Sequence, residues 1–454
     1  MAHDQQDALA WAVGAFRNVD QAARYHLSAR YLDGDQALAF STLQYDSVLS
    51  RIFAAFAYNR CMSVVEAFTS RLDIEGFTAD DETVAERAME VWDRNEMPGR
   101  INELMVEGFS AGDSYLLTWP DDEGRATIWP QQAAHIRVHY SDERPGLVTA
   151  ATKTWTLHDG RMRLNVYTPN LIERYVTRTK AYSGIPASSR AFEPYEDDAP
   201  AITTHPWGIP VAHYANNGRT GAYGRSELRD VIPLQDAINE TLTDMLVAIK
   251  LMAYPQRVIL GMDNPDPGAG EAIQKFVAGM SRILTLSGGA SIDQFMAADL
   301  AQFVNVAEFL DLCVARVSKV PVHYLTLSGS FPSGRALRTA EAPFVAKLED
   351  RQRSIASTVE DAMTTALAIE GVPDPAGLTV VWASAAPLAQ DDIWEIAIQK
   401  RAAGLPFQQI LIEAGYQPDE VDAIQAMVAD AGEVAVRAFN AGAFSGDDDT
   451  DVVA

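Results

Sequence analysis

The sequence predicts an α+β protein, and three observations support this fold class. From the N-terminus to about Gly112, apolar residues recur at spacings of three and four, as in amphipathic helices. From Tyr115 to about Tyr214, short runs such as HIRVHY and RMRLNVYT are separated by turn residues, which favours an antiparallel sheet. Beyond Gly224, three long helical patterns surround one compact insert.

Length and composition limit the class of protein. The chain has 454 residues, of which 48% are hydrophobic, enough for about two to four domains with a real core. Cys61 and Cys313 are the two cysteines, so we expect no disulfide framework and a reducing compartment. No apolar run reaches the roughly 18 residues of a membrane span. The N-terminal segment carries acidic residues where a signal peptide would carry basic ones. We expect a soluble protein that is not secreted.

The charge balance of the chain limits how tightly it can bind nucleic acid. The net charge is −26, with 62 acidic against 36 basic residues. Ordinary duplex binding neutralises phosphates with lysine and arginine, so this balance predicts a protein that does not grip DNA tightly.

Two long helices flank the insert. The first is expected at about Ser226–Ala253, with Ser226 as its N-cap and a bend at Pro233. The insert, about Tyr254–Ala298, reads as a strand, a turn rich in proline and glycine, a short helix and a second strand. The second helix is expected at about Asp299–Val320.

A third long helix follows a loop. It should run from Arg335 to a C-cap at Gly371 and be kinked near its start by Pro343. The strand LTVVWAS comes next, followed by a small helical unit over residues 386–444 and an acidic tail over 445–454.

The segment GSFPSGRA, from Gly329 to Ala336, resembles a phosphate-binding loop but lacks its chemistry. Both glycines of the G-x-x-x-x-G-K-[ST] pattern are present, and a helix follows. Arg335 replaces the lysine, and Ala336 replaces the hydroxyl that would hold magnesium. A structural loop is the favoured interpretation, with nucleotide binding as the alternative.

Two other motifs carry weak chemical signals. GFSAG matches a nucleophile elbow, but a helix precedes Ser110 and a strand follows, which is the reverse of the required order. The motif therefore indicates a helix C-cap. His135 and His139 would share one face of a strand, and we expect half-exposed edge histidines rather than a metal site. The sequence predicts no catalytic residue, metal or cofactor.

Three carboxylates follow one face of the first long helix. Asp236, Glu240 and Asp244 lie at i, i+4 and i+8, a spacing at which like charges repel. A solvated helix face is one interpretation, and a negative wall that faces something anionic is the other.

The stretch from Pro321 to Gly334 contains no Asp, Glu, Lys or Arg, although it is polar and rich in glycine. Such a loop can touch phosphates without releasing counterions, so its contact would be weak and insensitive to salt. An ordinary solvent loop is the alternative. The candidate contact residues are Leu327, Ser328, Gly329, Ser330, Phe331, Pro332, Ser333, Gly334 and Arg335.

The order of several short signatures resembles the portal proteins of tailed double-stranded DNA phages. The resemblance covers nearly the whole chain, and the order is more specific than any one signature. The signatures are NRCMSVVEAFTSRLDIEGF, LMVEGFSAGDSYLLTW, HPWGIPVAHYANN, GRSELRDVIPLQDAINETLTDML, VSKVPVHYL, PSGRALRTAEAPFVAKLEDRQ and VVWASAAPLAQDDIWEIAIQKRAAG.

The resemblance implies a portal architecture within the α+β class: a wing of helices and β-strands, a two-helix stem, a small α/β clip, a tunnel loop and a helical crown. The implied segments are wing 1–225, stem helix 226–253, clip 254–298, stem helix 299–320, tunnel loop 321–334, wing 335–385, crown 386–444 and acidic tail 445–454.

The resemblance also implies a function without catalysis. A dodecameric ring at the unique capsid vertex would conduct double-stranded DNA during packaging and ejection. Its implied partners are the terminase motor, head-tail adaptors and the major capsid or scaffolding protein, with no membrane. It would reside in the virion, and in the host cytoplasm during assembly. An enzyme that uses GSFPSGRA or GFSAG, or a binding protein that forms no ring, would be the alternatives.

Overall fold

The computed structural model describes most of the chain, in two compact units, Met1–Ala385 and Ala386–Ala454. The described residues are 5–35, 58–181, 184–186, 188–196, 199–220, 222–252, 257–260, 283–286, 292–294, 300–325, 334–372, 374–386, 397–413, 421, 424–425 and 427–428. They combine helices with sheets, so the α+β class is confirmed.

Among the described residues, five helices belong to the N-terminal part of the first unit. They are α1 (Gln5–Ala15), α2 (Val19–Leu32), α3 (Arg60–Thr69), α4 (Glu82–Arg94) and α5 (Met97–Ala111). Side-chain oxygens of Asn18, Asn59 and Asp81 accept backbone N–H groups at the starts of α2, α3 and α4. Gly112 ends α5 with a φ of 97°, a left-handed conformation that favours glycine, as the sequence predicted.

The predicted antiparallel region forms two sheets. The strands are β2 (Asp113–Pro120), β3 (Ala126–Gln131), β4 (Ile136–Tyr140), β5 (Val148–Thr156), β6 (Met162–Tyr167), β7 (Leu171–Thr177), β8 (Phe192–Pro194), β9 (Ile202–Thr204) and β10 (Val211–Ala215). One sheet has the order β10-β2-β3, and the other has the order β4-β5-β6-β7-β8 with β9 also pairing β7. A further strand, β1 (Ile74–Thr78), pairs antiparallel with β14 (Thr379–Trp382).

The first long helix, α6 (Ile232–Met252), is shorter than predicted. Ser226 caps a turn rather than the helix, because its hydroxyl accepts the N–H of Leu228 at 3.0 Å. Pro233 consequently falls in the first turn, where its missing N–H breaks no hydrogen bond. The predicted N-cap and the predicted bend at Pro233 were therefore both wrong.

The other two long helices match their predicted positions closely. They are α7 (Ala301–Ser318) and α8 (Gly334–Ile369), which runs continuously through Pro343. Gly371 has a φ of 92°, and the N–H of Val372 donates to the carbonyl of Leu367 at 2.8 Å, which confirms the predicted C-cap.

The insert between α6 and α7 contains its own sheet. The predicted strands appear as β11 (Arg257–Leu260) and β12 (Ile283–Leu286), paired in parallel, and β13 (Ile292–Gln294) joins β11 antiparallel. We did not predict β13, since it is short and follows a glycine-rich run. The helix predicted in EAIQKFVAGM lies outside the described residues.

One apolar core joins the N-terminal helices to α8. Phe68 of α3 packs against Phe109 of α5 and Phe344 of α8, with ring centroids 5.3 Å apart in both pairs. These side chains are buried, together with Leu348 and Val359 further along α8. The chain therefore returns to its N-terminal core after leaving it through α6 and α7.

The second unit contains short helices where the sequence predicted a helical segment. Residues 397–402 are helical, and α9 spans Phe407–Glu413. Gly404, with a φ of 89°, separates the two. The predicted acidic tail lies outside the described residues. Among the residues that are described, no helix is long and apolar enough to cross a bilayer.

Candidate functional site

The three carboxylates of α6 differ in their surroundings. Asp236 is half-buried and accepts a hydrogen bond of 2.6 Å from the hydroxyl of Tyr31 on α2. Burial raises the pKa of Tyr31, and the hydrogen bond to Asp236 adds to the shift. Glu240 and Asp244 are exposed. Asp236 therefore anchors α2, whereas Glu240 and Asp244 are exposed to solvent.

A buried ion pair fixes α7 to the N-terminal core. Arg60 donates from Nε to one oxygen of Asp311 at 2.8 Å and from its terminal nitrogen to the other at 2.7 Å. The two side chains are only 12% and 8% exposed, so this pair is shielded from solvent. Such a bidentate, partly desolvated pair fixes the relative position of the two side chains better than an exposed pair does. No local sequence pattern marks this pair, because the two residues are 251 positions apart in the chain.

The same arginine also contacts α6. Its backbone N–H donates to the side chain of Gln235 at 2.7 Å, and Gln235 in turn donates to the carbonyl of Tyr58 at 2.6 Å. The start of α6 and the end of α7 are therefore braced by one short segment. Because the first helix leaves this segment and the second returns to it, α6 and α7 are antiparallel.

The end of α7 is stabilised by side chains. The hydroxyl of Ser318 donates to the carbonyl of Val314 at 2.7 Å, and Lys347 of α8 donates to the carbonyl of Ser318 at 2.9 Å. Lys319 then takes a left-handed conformation, with a φ of 63°. The chain leaves α7 in a fixed direction.

The start of the predicted loop is anchored on the core. His323 Nε2 lies 2.9 Å from a carboxylate oxygen of Glu341 on α8, and Arg71 lies 3.6 Å from the other oxygen. Arg71 also donates from Nε to the hydroxyl of Tyr324 at 3.0 Å. The base of the loop is thus tied to the turn after α3 and to α8, the helix that follows the loop.

Most of the predicted contact residues cannot be placed. Leu327, Ser328, Gly329, Ser330, Phe331, Pro332 and Ser333 lie outside the described residues. Gly334 and Arg335 form the start of α8, one residue before the predicted helix start at Arg335. Contact of these residues with DNA stays a prediction.

Glu227 is the centre of a second buried network. It accepts from Lys347 at 2.7 Å and from Arg351 at 3.0 Å, and both cations belong to α8. Burial acts to raise the pKa of Glu227, but the two cations outweigh it, so the pKa lies below the ordinary value. This network joins α8 to the turn that precedes α6.

A cleft of about 1150 Å³ opens beside this network and collects positive charge. Exposed Arg219, Arg229 and Lys319 line it, along with Asp230 and Asp350. The cleft holds cations in a chain whose net charge is −26.

An aspartate–histidine pair deep in the fold is structural. Ring nitrogen Nε2 of His213 lies 2.8 Å from a carboxylate oxygen of Asp113, and Nδ1 lies 2.7 Å from the hydroxyl of Tyr140. Asp113 also accepts from Tyr25 of α2 at 2.7 Å. Both ring nitrogens of His213 are therefore occupied, and the pair is almost fully buried. It joins α2 to β2 and β10.

The weak chemical motifs take structural positions. Ser110 lies at the end of α5 and donates to the carbonyl of Glu107 at 3.2 Å, so the helix C-cap interpretation is confirmed. His139 is half-buried on edge strand β4, and burial lowers its pKa to about 4. His135 lies in the turn before β4, so the shared strand face was wrong. The described residues hold no cluster of metal-binding side chains.

The described residues of the first unit thus define an α+β protein whose long helices are held by buried polar contacts. Comparison of sequences identifies the family of this protein. Residues 64–431 match the family described as "Phage portal protein, SPP1 Gp6-like". The match spans most of the chain, so the chain belongs to the phage portal protein family, and within it to the SPP1 Gp6-like group.

Similar proteins carry the same family name. The portal protein of Mycobacterium phage D29 is 25% identical over 393 residues, which cover 82% of this chain and 77% of the relative. The portal protein of Mycobacterium phage L5 is 24% identical over 393 residues, which cover 79% of this chain and 77% of the relative.

Solved structures resemble this chain more distantly. A chain from the virion of a native gene transfer agent particle has a TM-score of 0.49 and 13% identity, covering 87% of this chain and 94% of that one. A chain from the neck of the native particle, computed with C12 symmetry, has a TM-score of 0.44 and 14% identity, covering 78% and 89%. Because both TM-scores are below 0.5, we take the family from the sequence match alone.

Proposed function

We propose that twelve copies of this chain form a ring at the unique vertex of a phage capsid, and that double-stranded DNA passes through the ring during packaging and ejection. The observation that supports this most is the match of residues 64–431 to the portal family. The chain would act as a conduit and docking platform, without catalysis and without a cofactor.

The proposed segments follow the architecture of the first unit. Residues 1–225 and 335–385 would form the wing, and the shared core of α3, α5 and α8 supports grouping them. The stem would comprise 226–253 and 299–320, and the antiparallel α6 and α7 support this. Residues 254–298 would form the clip, 321–334 the tunnel loop, 386–444 the crown and 445–454 an acidic tail.

The channel surface would be uncharged or negative where DNA passes. Leu327 to Arg335 would contact the duplex, and Glu240 and Asp244 would repel its phosphates from the stem. The net charge of −26 supports this proposal, because a negative wall displaces no counterions from DNA and so does not hold the duplex. Asp236 would add its charge while it also binds Tyr31.

The proposed partners follow from the position of the ring. The clip would face the terminase motor during packaging and the head-tail adaptors afterwards, and the wing would meet the major capsid or scaffolding protein. The ring would be part of the virion, after assembly in the host cytoplasm.

Native mass spectrometry and negative-stain microscopy of the purified chain test the ring directly. We expect particles of about twelve copies with a central opening. A chain that stays smaller than a hexamer over a range of salt and protein concentrations would contradict the proposal.

The enzyme alternatives have a separate test. ATP and ester hydrolysis by the purified chain should remain at background, and Arg335→Ala and Ser110→Ala should change nothing. Turnover that disappears in either variant would favour an enzyme.

A further inference from the structure

The cleft beside the Glu227 network is a basic surface on an acidic chain. Among the described residues, seven basic side chains line it against four acidic ones. Over the whole chain the balance is reversed, with 36 basic against 62 acidic residues. Charge of one sign that is concentrated in a concave surface focuses the electric field and attracts groups of the opposite sign. The cleft is therefore a candidate binding surface for an anionic partner.

The acidic side chains of the cleft already have partners. Two of them are buried, and two are exposed at its rim. The pairs are Asp113 with His213, Glu227 with Lys347, Asp230 with Arg225 and Asp350 with Arg351. These carboxylates therefore leave the other cations of the cleft unneutralised.

Four cations of the cleft have no carboxylate partner among the described residues. All four are exposed, and they come from α2, the loop after β10, the turn before α6 and the end of α7. They are Arg24, Arg219, Arg229 and Lys319. Because these unpaired cations lie on separate elements around one cleft, an occupant with several anionic groups would neutralise them best.

The cleft also has an apolar wall. Leu27 of α2 is 44% exposed, and Val317 of α7 is 46% exposed. Pro233 and Pro343 line the cleft as well and are also exposed. The phosphate backbone of DNA has no apolar group to cover such side chains, whereas a polypeptide segment can carry apolar and acidic side chains together. The mixed lining therefore favours a polypeptide over a nucleic acid.

Buried polar contacts hold the walls of the cleft in place. Tyr25 of α2 and the backbone N–H of Gly224 each donate to Asp113 at 2.7 Å. Lys347 of α8 donates to the carbonyl of Ser318 at the end of α7, at 2.9 Å. The elements that carry the unpaired cations are thus fixed before a partner arrives, which lowers the entropic cost of binding.

We propose that the cleft receives an acidic segment of the neighbouring copy, whose carboxylates pair with the four unpaired cations and whose apolar side chains cover Leu27. This inference rests on the proposed ring, which places a copy on either side of each chain. Charge complementarity favours a second copy as the occupant, because the excess of acidic residues lies outside the cleft and acidic copies otherwise repel each other. Two basic clefts would repel as well, so the contact joins different surfaces and continues from copy to copy until the ring closes.

Zero-length cross-linking tests which molecule enters the cleft. A carbodiimide joins a lysine amine directly to a carboxylate that forms an ion pair with it, and Lys319 supplies the amine. Rings are assembled from equal amounts of unlabelled and isotopically heavy copies, then cross-linked and digested. Mass spectrometry should find Lys319 in an amide with an aspartate or a glutamate. About half of these pairs should combine a heavy with an unlabelled peptide, as random mixing of two copies requires.

Two controls make the cross-link specific. Lys319→Arg keeps the positive charge but has no primary amine, so the mixed pair should vanish while rings persist. Lys180, which is exposed but does not line the cleft, should give far fewer mixed pairs than Lys319.

The outcomes separate the docking from the ring. Rings in which Lys319 forms no amide, or forms amides only within one copy, would overturn the docking and leave the proposed function intact. Mixed pairs as frequent at Lys180 as at Lys319 would overturn it too. A chain that forms no ring at all would contradict the proposed function and the docking together.

Charge reversal tests the role of the unpaired cations. Arg219→Glu with Arg229→Glu should raise the protein concentration needed for half assembly several-fold at moderate salt, because carboxylates would then face carboxylates. Arg17→Glu with Arg190→Glu is the matched control, since it changes the net charge equally at exposed arginines that do not line the cleft. Equal effects of the two double variants would overturn the pairing.

Binding of a short DNA duplex tests the other class of occupant. In fluorescence anisotropy with a labelled duplex, wild type and the variant with Arg219→Glu and Arg229→Glu should behave alike. Binding by wild type that is lost in this variant would show that the cleft takes phosphates, and it would overturn the polypeptide occupant.

Discussion

At the scale of single residues, buried polar contacts hold the long helices in place. Arg60 and Asp311 are 251 positions apart and form two hydrogen bonds in a nearly dry environment. A buried pair is strongly destabilised when one partner is removed, because the other remains charged and desolvated. Exposed pairs contribute far less, since water screens them.

Asp311→Ala should therefore lower the free energy of unfolding by about 3–5 kcal/mol. Arg353→Ala, which removes an exposed pair with Asp350, should change it by less than about 1 kcal/mol. Urea unfolding followed by circular dichroism measures both. Equal effects of the two substitutions would contradict the role we give to the buried pair.

Glu227 should make stability depend on pH. Its folded pKa lies below the ordinary value of 4.5, so the unfolded chain binds a proton more readily. The resulting stability is present above about pH 4.5 and is lost as the pH falls through the folded pKa. The difference in melting temperature between wild type and Glu227→Gln should be largest near pH 7 and shrink toward pH 3. A difference that stays constant across this range would contradict the linkage.

At the scale of elements, two glycines end helices with the same backbone conformation but different surroundings. Gly112 and Gly371 have φ angles of 97° and 92°. A Cβ on Gly112 would lie 2.7 Å from the backbone nitrogen of Ser226, whereas a Cβ on Gly371 would meet nothing within 4 Å. Gly112 therefore serves both the end of α5 and the close approach of the segment before α6.

Gly371→Ala should cost about 1–2 kcal/mol, the strain of a left-handed alanine. Gly112→Ala should cost clearly more, because the backbone around Ser226 must also move. Thermal unfolding of the two variants under identical conditions compares them. If Gly112→Ala were no more destabilising than Gly371→Ala, the close backbone contact would not matter to stability.

The start of α6 shows where local signals mislead. Serine before an apolar periodic run is a common N-cap, and the sequence placed the helix start at Ser226 on that basis. In the fold, the hydroxyl of Ser226 is used by a turn and by the carbonyl of Ser110, so the helix starts at Ile232. A tertiary contact thus overrides the local preference.

At the scale of the whole molecule, passage of DNA should depend on the charge of the stem. Glu240→Lys together with Asp244→Lys should slow packaging, because a positive wall would retain phosphates and release counterions. Packaging rates in an in vitro system, measured on particles with intact rings, test this. Unchanged rates would remove these carboxylates from the mechanism.

The sequence by itself determined the α+β class, the three long helices, the two sheet regions and the family. These follow from hydrophobic periodicity, from turn residues and from the order of short signatures, all of which are local properties of the chain. It also singled out Asp236, Glu240 and Asp244, since helical spacing fixes which residues share a face.

Only the tertiary structure decided how these elements are held and which surfaces are left open. The contacts of Asp311 with Arg60, of Glu227 with α8 and of Asp113 with His213 join residues about a hundred positions or more apart, and no local pattern records such pairs. The same holds for the exposed side chain of Phe309 on α7, because periodicity marks an apolar face but does not say whether the chain itself covers it. Burial depends on the whole fold, and here the fold leaves that face open.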